Sequence, residues 1–162
     1  MVGPVFASEW VRPATPRDAP AVRGLLLAEG LEHEFTPKEF VVCEADGHIV
    51  GCARAKSLPE GGTELASVAV ARTHRGRGLA RSLVQMVLLG ARHPVFALTL
   101  VPEMLTRGGF EPIPVDDLPA SLKAKAGACT TSGRAWAAMR LRRVEVRPLP
   151  PEPASEPDFL DA

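Results

Sequence analysis

The sequence contains no tyrosine, which removes the phenol from the list of possible proton donors, and aromatic residues make up only 5% of it. It has no excess of either charge: 19 Lys+Arg stand against 19 Asp+Glu. No strongly basic field therefore argues for nucleic acid, although charge can still be local. There is no apolar run long enough to cross a bilayer, and the N-terminus lacks the charged, apolar and cleavage regions of a secretory signal. The expectation is a cytoplasmic protein with neither membrane nor nucleic acid as partner. Cysteine is sparse. Three residues, an odd number, do not make a disulfide framework, and no His/Cys spacing completes a metal site. No internal repeat is evident. The 162 residues are the length of one domain with a substantial core.

What is present centres on residues 64–91: ELASVAV, ARTHRGRGLA, RSLVQMVLLGA. Residues 64–70 are small and nearly uncharged, which suits a central strand covered on both faces. Leu79, Leu83, Val84, Val87 and Leu88 recur at helical spacing and give the following segment its core face. Between them lies Arg75-Gly76-Arg77-Gly78-Leu79-Ala80. The first N–H groups of a helix lack intrahelical partners and the dipole is positive there, so this turn attracts phosphate. Arg75, Arg77 and Arg81 add point charge. The spacing fits neither G-x-x-x-x-G-K-[ST] nor G-x-G-x-x-G, so it is neither a nucleotide P-loop nor a Rossmann fingerprint. A plain tight turn with solvated arginines is the alternative, and the strand before and helix after weigh against it.

These residues resemble motif A of the GNAT superfamily of N-acetyltransferases, Q/R-x-x-G-x-G/A after the fourth strand. Arg75, Gly78 and Ala80 fill its three positions. The resemblance implies an α/β (α+β) fold with a mixed, mostly antiparallel central sheet flanked by helices and splayed open after residues 64–70. It implies acetyl-CoA as cosubstrate and no metal. The pyrophosphate would lie on the main chain of Arg75, Gly76, Arg77, Gly78, Leu79, Ala80 and Arg81, with the pantetheine arm along Val68, Ala69 and Val70. Residues 94–101 look like the family's fifth strand and residues 104–110 like its short helix ending in Gly-Phe. The domain so defined spans residues 10–143. Residues 1–9 form a leader and 144–162 a Pro/acid-rich tail that reads as extended or disordered. A homodimer is a possible assembly.

Elsewhere the pattern is conventional. Thr15-Pro16-Arg17-Asp18 supplies an N-cap, a proline at the first helical position and an acid three residues on, and Gly30 ends that helix. A short strand precedes it over residues 10–13. Thr36-Pro37 signals a second short helix, in the region that would overlie the acceptor, where Glu32, His33 and Glu34 are candidates to meet a substrate amine. Residues 40–45 and 48–57 form a hairpin about Asp46-Gly47. A two-residue turn there sets Cys43 opposite Val50, with Cys52 diagonal to it on the same sheet face. Cys129 lies in a loop-like A-C-T-T-S-G. A helix is expected from Asp116 through Lys125 and a closing strand over residues 135–141.

For catalysis, Glu64 is the candidate base. It stands eleven residues before Arg75, the spacing of the catalytic glutamate in histone-acetylating members of the family. An exposed strand-end glutamate beside Gly61-Gly62 is the plain alternative. The family's usual acid, a tyrosine, is replaced by the Met104-Leu105 pair, leaving Thr106, Cys129, water or an unaided thiolate. His74 reads as a surface or coenzyme-edge contact. The closing region is weakly similar to small glutamate N-acetyltransferase-like and arsenic-resistance-associated members, without their LTTRT motif. The function implied is acetylation of a primary amine of a small molecule, with an amino acid as a candidate acceptor. Acetylation of a protein lysine or N-terminus, or acyl-CoA sensing without catalysis, are the alternatives.

Overall fold

The computed structural model describes residues 9–130 and 133–143. The expected tail, and the leader apart from Glu9, lie outside the described residues.

β1 (Glu9–Pro13) runs into a 3-10 turn at Pro16–Asp18 and then α1 (Ala19–Ala28). The acid expected to close this start does so: the Thr15 N–H donates to Asp18 Oδ2 at 2.7 Å. Asp18 also receives Arg12 Nη1 at 2.8 Å and Nη2 at 2.9 Å, so one carboxylate fastens helix start to strand. The Thr36-Pro37 signal yields only a single 3-10 turn, Pro37–Glu39. Arg54, itself buried, holds that turn down through Glu39 at 2.6 Å.

β2 (Phe40–Ala45) and β3 (His48–Ser57) form the expected hairpin, with Ala45 paired to His48. The facing of its cysteines does not follow the simple register. Cys43 lies opposite Gly51, because the ladder slips by one residue between Cys43 and Glu44. A one-residue slip reverses every side chain beyond it. Cys43 therefore packs with Leu83 in one core cluster and Cys52 with Val22 and Leu26 in another.

β4 (Thr63–Val70), α2 (Leu79–Gly90), β5 (Val95–Thr99), α3 (Pro102–Arg107), β6 (Phe110–Pro112), α4 (Ala120–Thr130) and β7 (Ala137–Leu141) complete the described elements. The helix expected from Asp116 is split. Val115–Asp117 makes a 3-10 turn, and α4 begins only after Pro119 and runs on through Cys129. The seven strands form one sheet in the order β1-β2-β3-β4-β5-β7-β6, antiparallel except for β4 beside β5. Leu79, Leu83, Val84 and Val87 of α2 pack on Leu65, Val95 and Ala97. Val22 and Leu26 of α1 pack with Val42 and Ala69, and Leu122 and Ala126 of α4 with Phe96 and Ala138. Each large aliphatic side chain so buried stabilises by about 1.5–3 kcal/mol relative to exposure.

Candidate functional site

β4 and β5 pair only from Thr63–Leu65 to Val95–Ala97. Past that apex, among the described residues, β4 is paired only with β3, while β5 keeps β7 on its opposite edge out to Thr99. Two features fix the apex. The Thr63 hydroxyl donates to the Arg92 carbonyl at 2.8 Å and the Thr63 N–H to the Pro94 carbonyl at 2.9 Å. Gly62, at φ +90°, approaches so closely that a Cβ there would stand 2.3 Å from the Pro94 oxygen.

On its other side β4 carries a bulge. Ala66 pairs with Arg54 and Ala69 with Cys52, so Ser67 and Val68 together span the single residue Ala53. Ser67 takes φ +52°, an uncommon conformation for a residue with a side chain. The bulge reverses the alternation: Leu65 packs under α2, whereas Ala69, four residues on, packs under α1.

The divergence of β4 and β5 leaves a cleft of about 650 Å³. One wall is Glu64 through Val70, and the other is Ala97 through Val101 with Met104 and Leu105. Glu29, Gly30, Leu31 and Glu32 border it from the end of α1, and Lys125 and Cys129 of α4 and Trp136 just before β7 from the other end. Arg75 and Ala80 join the lining where β4 gives way to α2.

Each sequence candidate can now be located. Val68, Ala69, Val70, Arg75 and Ala80 line the cleft. Gly76, Arg77, Gly78 and Arg81 lie on the adjoining turn and first turn of α2 without lining it, and Leu79 turns into the core. Gly76 and Gly78 are both at φ +78°, and Gly78 is the N-cap of α2. Arg75 donates from Nε to the Val70 carbonyl at 3.1 Å and is ion-paired with Glu29. Arg77 pairs with Glu9 at 2.9 Å.

Glu64 is a cleft residue, and the exposed strand-end reading does not hold. Its side chain is 3% exposed and receives Lys125 Nζ at 2.5 Å. Of the three acceptor-side candidates, Glu32 lines the cleft while His33 and Glu34 do not. Thr106 donates to the Pro102 carbonyl at 2.9 Å within α3 and is no cleft residue. His74 is hydrogen-bonded to the neighbouring Thr73 hydroxyl at 2.8 Å, also outside the cleft. Cys129 does line it, from the last turn of a helix rather than from a loop.

Lys125 and Trp136 were not singled out from the sequence. Trp136 Nε1 is buried with no hydrogen-bond partner among the described residues, an orphan donor in a cavity wall. Such a group is costly unless a ligand oxygen or water meets it. It immediately precedes β7, and nothing in the sequence pattern there signals a ligand contact. Lys125, one of two lysines in K-A-K, carried no signal, because its partner is brought to it by tertiary folding.

The cleft thus runs, mostly apolar, from the start of α2 along the parting strands to Glu64. The model of the Acetyltransferase (GNAT) family matches residues 6–101, more than half of the chain, and the protein belongs to that family of acetyltransferases. No curated protein matches the chain. Among solved structures it is similar to N-acetylglutamate synthase from Neisseria gonorrhoeae complexed with coenzyme A and N-acetyl-glutamate, at 24% identity and a TM-score of 0.68. That match covers 85% of this chain but only 36% of the other, so the chain spans about a third of that enzyme. Rv2747 from Mycobacterium tuberculosis, in complex with CoA and NLQ, is 23% identical with a TM-score of 0.70, over 83% of this chain and 99% of that one. Diaminobutyrate acetyltransferase EctA from Paenibacillus lautus, with L-2,4-diaminobutyric acid and coenzyme A, is 21% identical with a TM-score of 0.51, over 62% and 71%. At these identities the likeness is one of fold. No helix among the described residues is long and apolar enough to cross a membrane.

Proposed function

We propose that this protein transfers the acetyl group of acetyl-CoA to the primary amine of a small molecule, with amino acids as the acceptor class to test first. The observation that carries the reading is that one cleft joins the Arg75–Ala80 turn to a buried glutamate. The pyrophosphate would sit on the main chain of the turn from Arg75 to Arg81, where helix N–H groups and arginine charge converge. The pantetheine amides would run along Val68–Val70, taking the place that a neighbouring strand leaves open. Ser67 and Val68 lie outside the ladder with β3, so their main-chain N–H groups are suited to the thioester oxygen as it gains charge.

Glu64, at the other end of β4, accepts the proton of the attacking amine. The synthase structure holds N-acetyl-glutamate and the EctA structure its substrate L-2,4-diaminobutyric acid, which supports that class without fixing a member. The orphan Trp136 N–H offers an acceptor oxygen a partner.

The test is thiol release from acetyl-CoA against a panel of amino acids, simple amines and peptides, on the parent and on Glu64→Gln. Turnover of the variant should fall about a hundredfold or more, the usual contribution of a general base. Its coenzyme A affinity should hold, since Glu64 stands at the opposite end of β4 from the phosphate turn. Peptides outperforming every small amine would favour protein acetylation. Tight coenzyme A binding with no turnover on any amine would favour an acyl-CoA sensor.

A further inference from the structure

Transfer to an amine releases a thiolate that must be protonated, and the chain has no tyrosine to do it. Thr106 is engaged inside α3 and outside the cleft, and so is His74 outside it. Lys125 is differently placed. It projects from α4 onto Glu64, with Nζ to Oε1 at 2.5 Å, and both residues line the cleft. The lysine side chain is 34% exposed and the glutamate 3%, so the ammonium is the member of the pair more open to a ligand. An ammonium has three protons, and Glu64 occupies one. The carboxylate's position is enforced by the parallel register, which sets Glu64 beside Phe96 on the face that α4 covers.

We infer that Lys125 is the proton donor to the departing sulfur, working as a relay with Glu64. The inference rests on the acetyltransferase reading above. In the step, the neutral amine nitrogen bonds to the acetyl carbon and the carbon–sulfur bond breaks, its electron pair staying on sulfur. Glu64 takes the proton that the new ammonium nitrogen sheds. Lys125 gives one proton to the sulfur. The proton on Glu64 then crosses the existing hydrogen bond to Lys125. The products are the amide and the free thiol, with carboxylate and ammonium restored and no outside acid or base consumed. An alkylammonium is ordinarily a weaker acid than a thiol, about 10.4 against about 8.5. The return of a proton from Glu64 is therefore what makes the donation complete.

A lysine that merely holds Glu64 in place is the competing role, and the leaving group separates the two. A selenol is far more acidic than a thiol, so a selenolate departs without an acid. Lys125→Arg keeps the positive charge and a hydrogen bond to Glu64 but donates a proton poorly. Lys125→Met removes both. Parent and variants would be assayed with acetyl-CoA and with its selenoester analogue, using the amine of highest turnover in the panel. Melting temperature and coenzyme A titration verify each fold. The relay requires Lys125→Arg to lose about a hundredfold with the thioester and less than about tenfold with the selenoester. Equal losses with both donors would overturn it and leave Lys125 a positioning residue, and no loss with the thioester would overturn it outright. Absence of turnover by the parent itself would remove the acetyltransferase reading and this inference together.

Discussion

Glu29, at the C-terminal end of α1, forms an ion pair with Arg75 in the turn before α2. A carboxylate thus occupies the arginine that the pyrophosphate would use. Both side chains are substantially exposed, at 33% and 46%, so the pair adds little to stability. Its effect should fall on the ligand instead. Glu29→Gln should tighten coenzyme A severalfold by isothermal titration at low salt, with the gain shrinking as salt rises. A weaker affinity in the variant would mean that Glu29 orients Arg75 and does not compete for it.

The turn at residues 75–80, the proposed seat of the pyrophosphate, depends on a left-handed N-cap. Gly78 has φ +78°, and nothing stands within 4 Å of where its Cβ would be. Gly78→Ala should therefore cost about 1–2 kcal/mol in conformational energy alone. Proline cannot take that φ at all, so Gly78→Pro should abolish most of the coenzyme A binding signal. Unchanged affinity in the proline variant would move the coenzyme elsewhere.

Acid should weaken the start of α1 through one residue. The hydrogen-bonded Arg12 guanidinium, above all, holds the Asp18 carboxyl below the usual carboxylate range. A carboxylate so depressed stabilises the fold above its unfolded pKa, and the contribution fades as pH falls through the folded value. At neutral pH, Asp18→Asn should cost on the order of 2 kcal/mol, the scale of a charged hydrogen bond. The gap between parent and variant in denaturant melts should close on acidification below about pH 4. A pH-independent gap would assign the loss to packing.

Thiol chemistry offers a probe of the cleft. Burial pushes the Cys52 thiol up to about 12 and raises that of Cys43 as well. Both should react slowly with maleimide, because the thiolate is the nucleophile. Cys129, half-buried in the cleft wall, should react first, and acetyl-CoA should slow it. Modification of all three at one rate would indicate global opening instead.

Much of this architecture is legible in local chemistry. Asp46-Gly47 specifies its hairpin, Pro16 its helix start, and Arg75, Gly78 and Ala80 the turn between strand and helix. The misplaced cysteine pair has one cause. The slip at Cys43/Glu44 inserts a residue without any turn signal, so alternation counted from sequence puts Cys52 on the wrong face. Ser67 in particular is a residue that no local rule would assign a positive φ. Spacing to Arg75 singled out Glu64 as a candidate, but its ion pair was not legible, since Lys125 arrives from 61 residues later in the chain. Trp136 as an orphan donor is likewise a property of the packed molecule. Hydrogen-bond demand becomes visible only when water has been excluded.

The three-residue contact between β4 and β5 has a thermodynamic consequence. Where those strands part, the sheet is interrupted, and a ligand seated along β4, as proposed, would complete it. Folding and occupancy are then linked quantities: a ligand at a hundred times its Kd adds about 2.7 kcal/mol to the folded state. Hydrogen exchange at the amides of Val68 to Val70 would register that occupancy directly, before any acceptor is known. The acetyl-CoA level around the protein would in that way set how rigid its two half-sheets are toward each other.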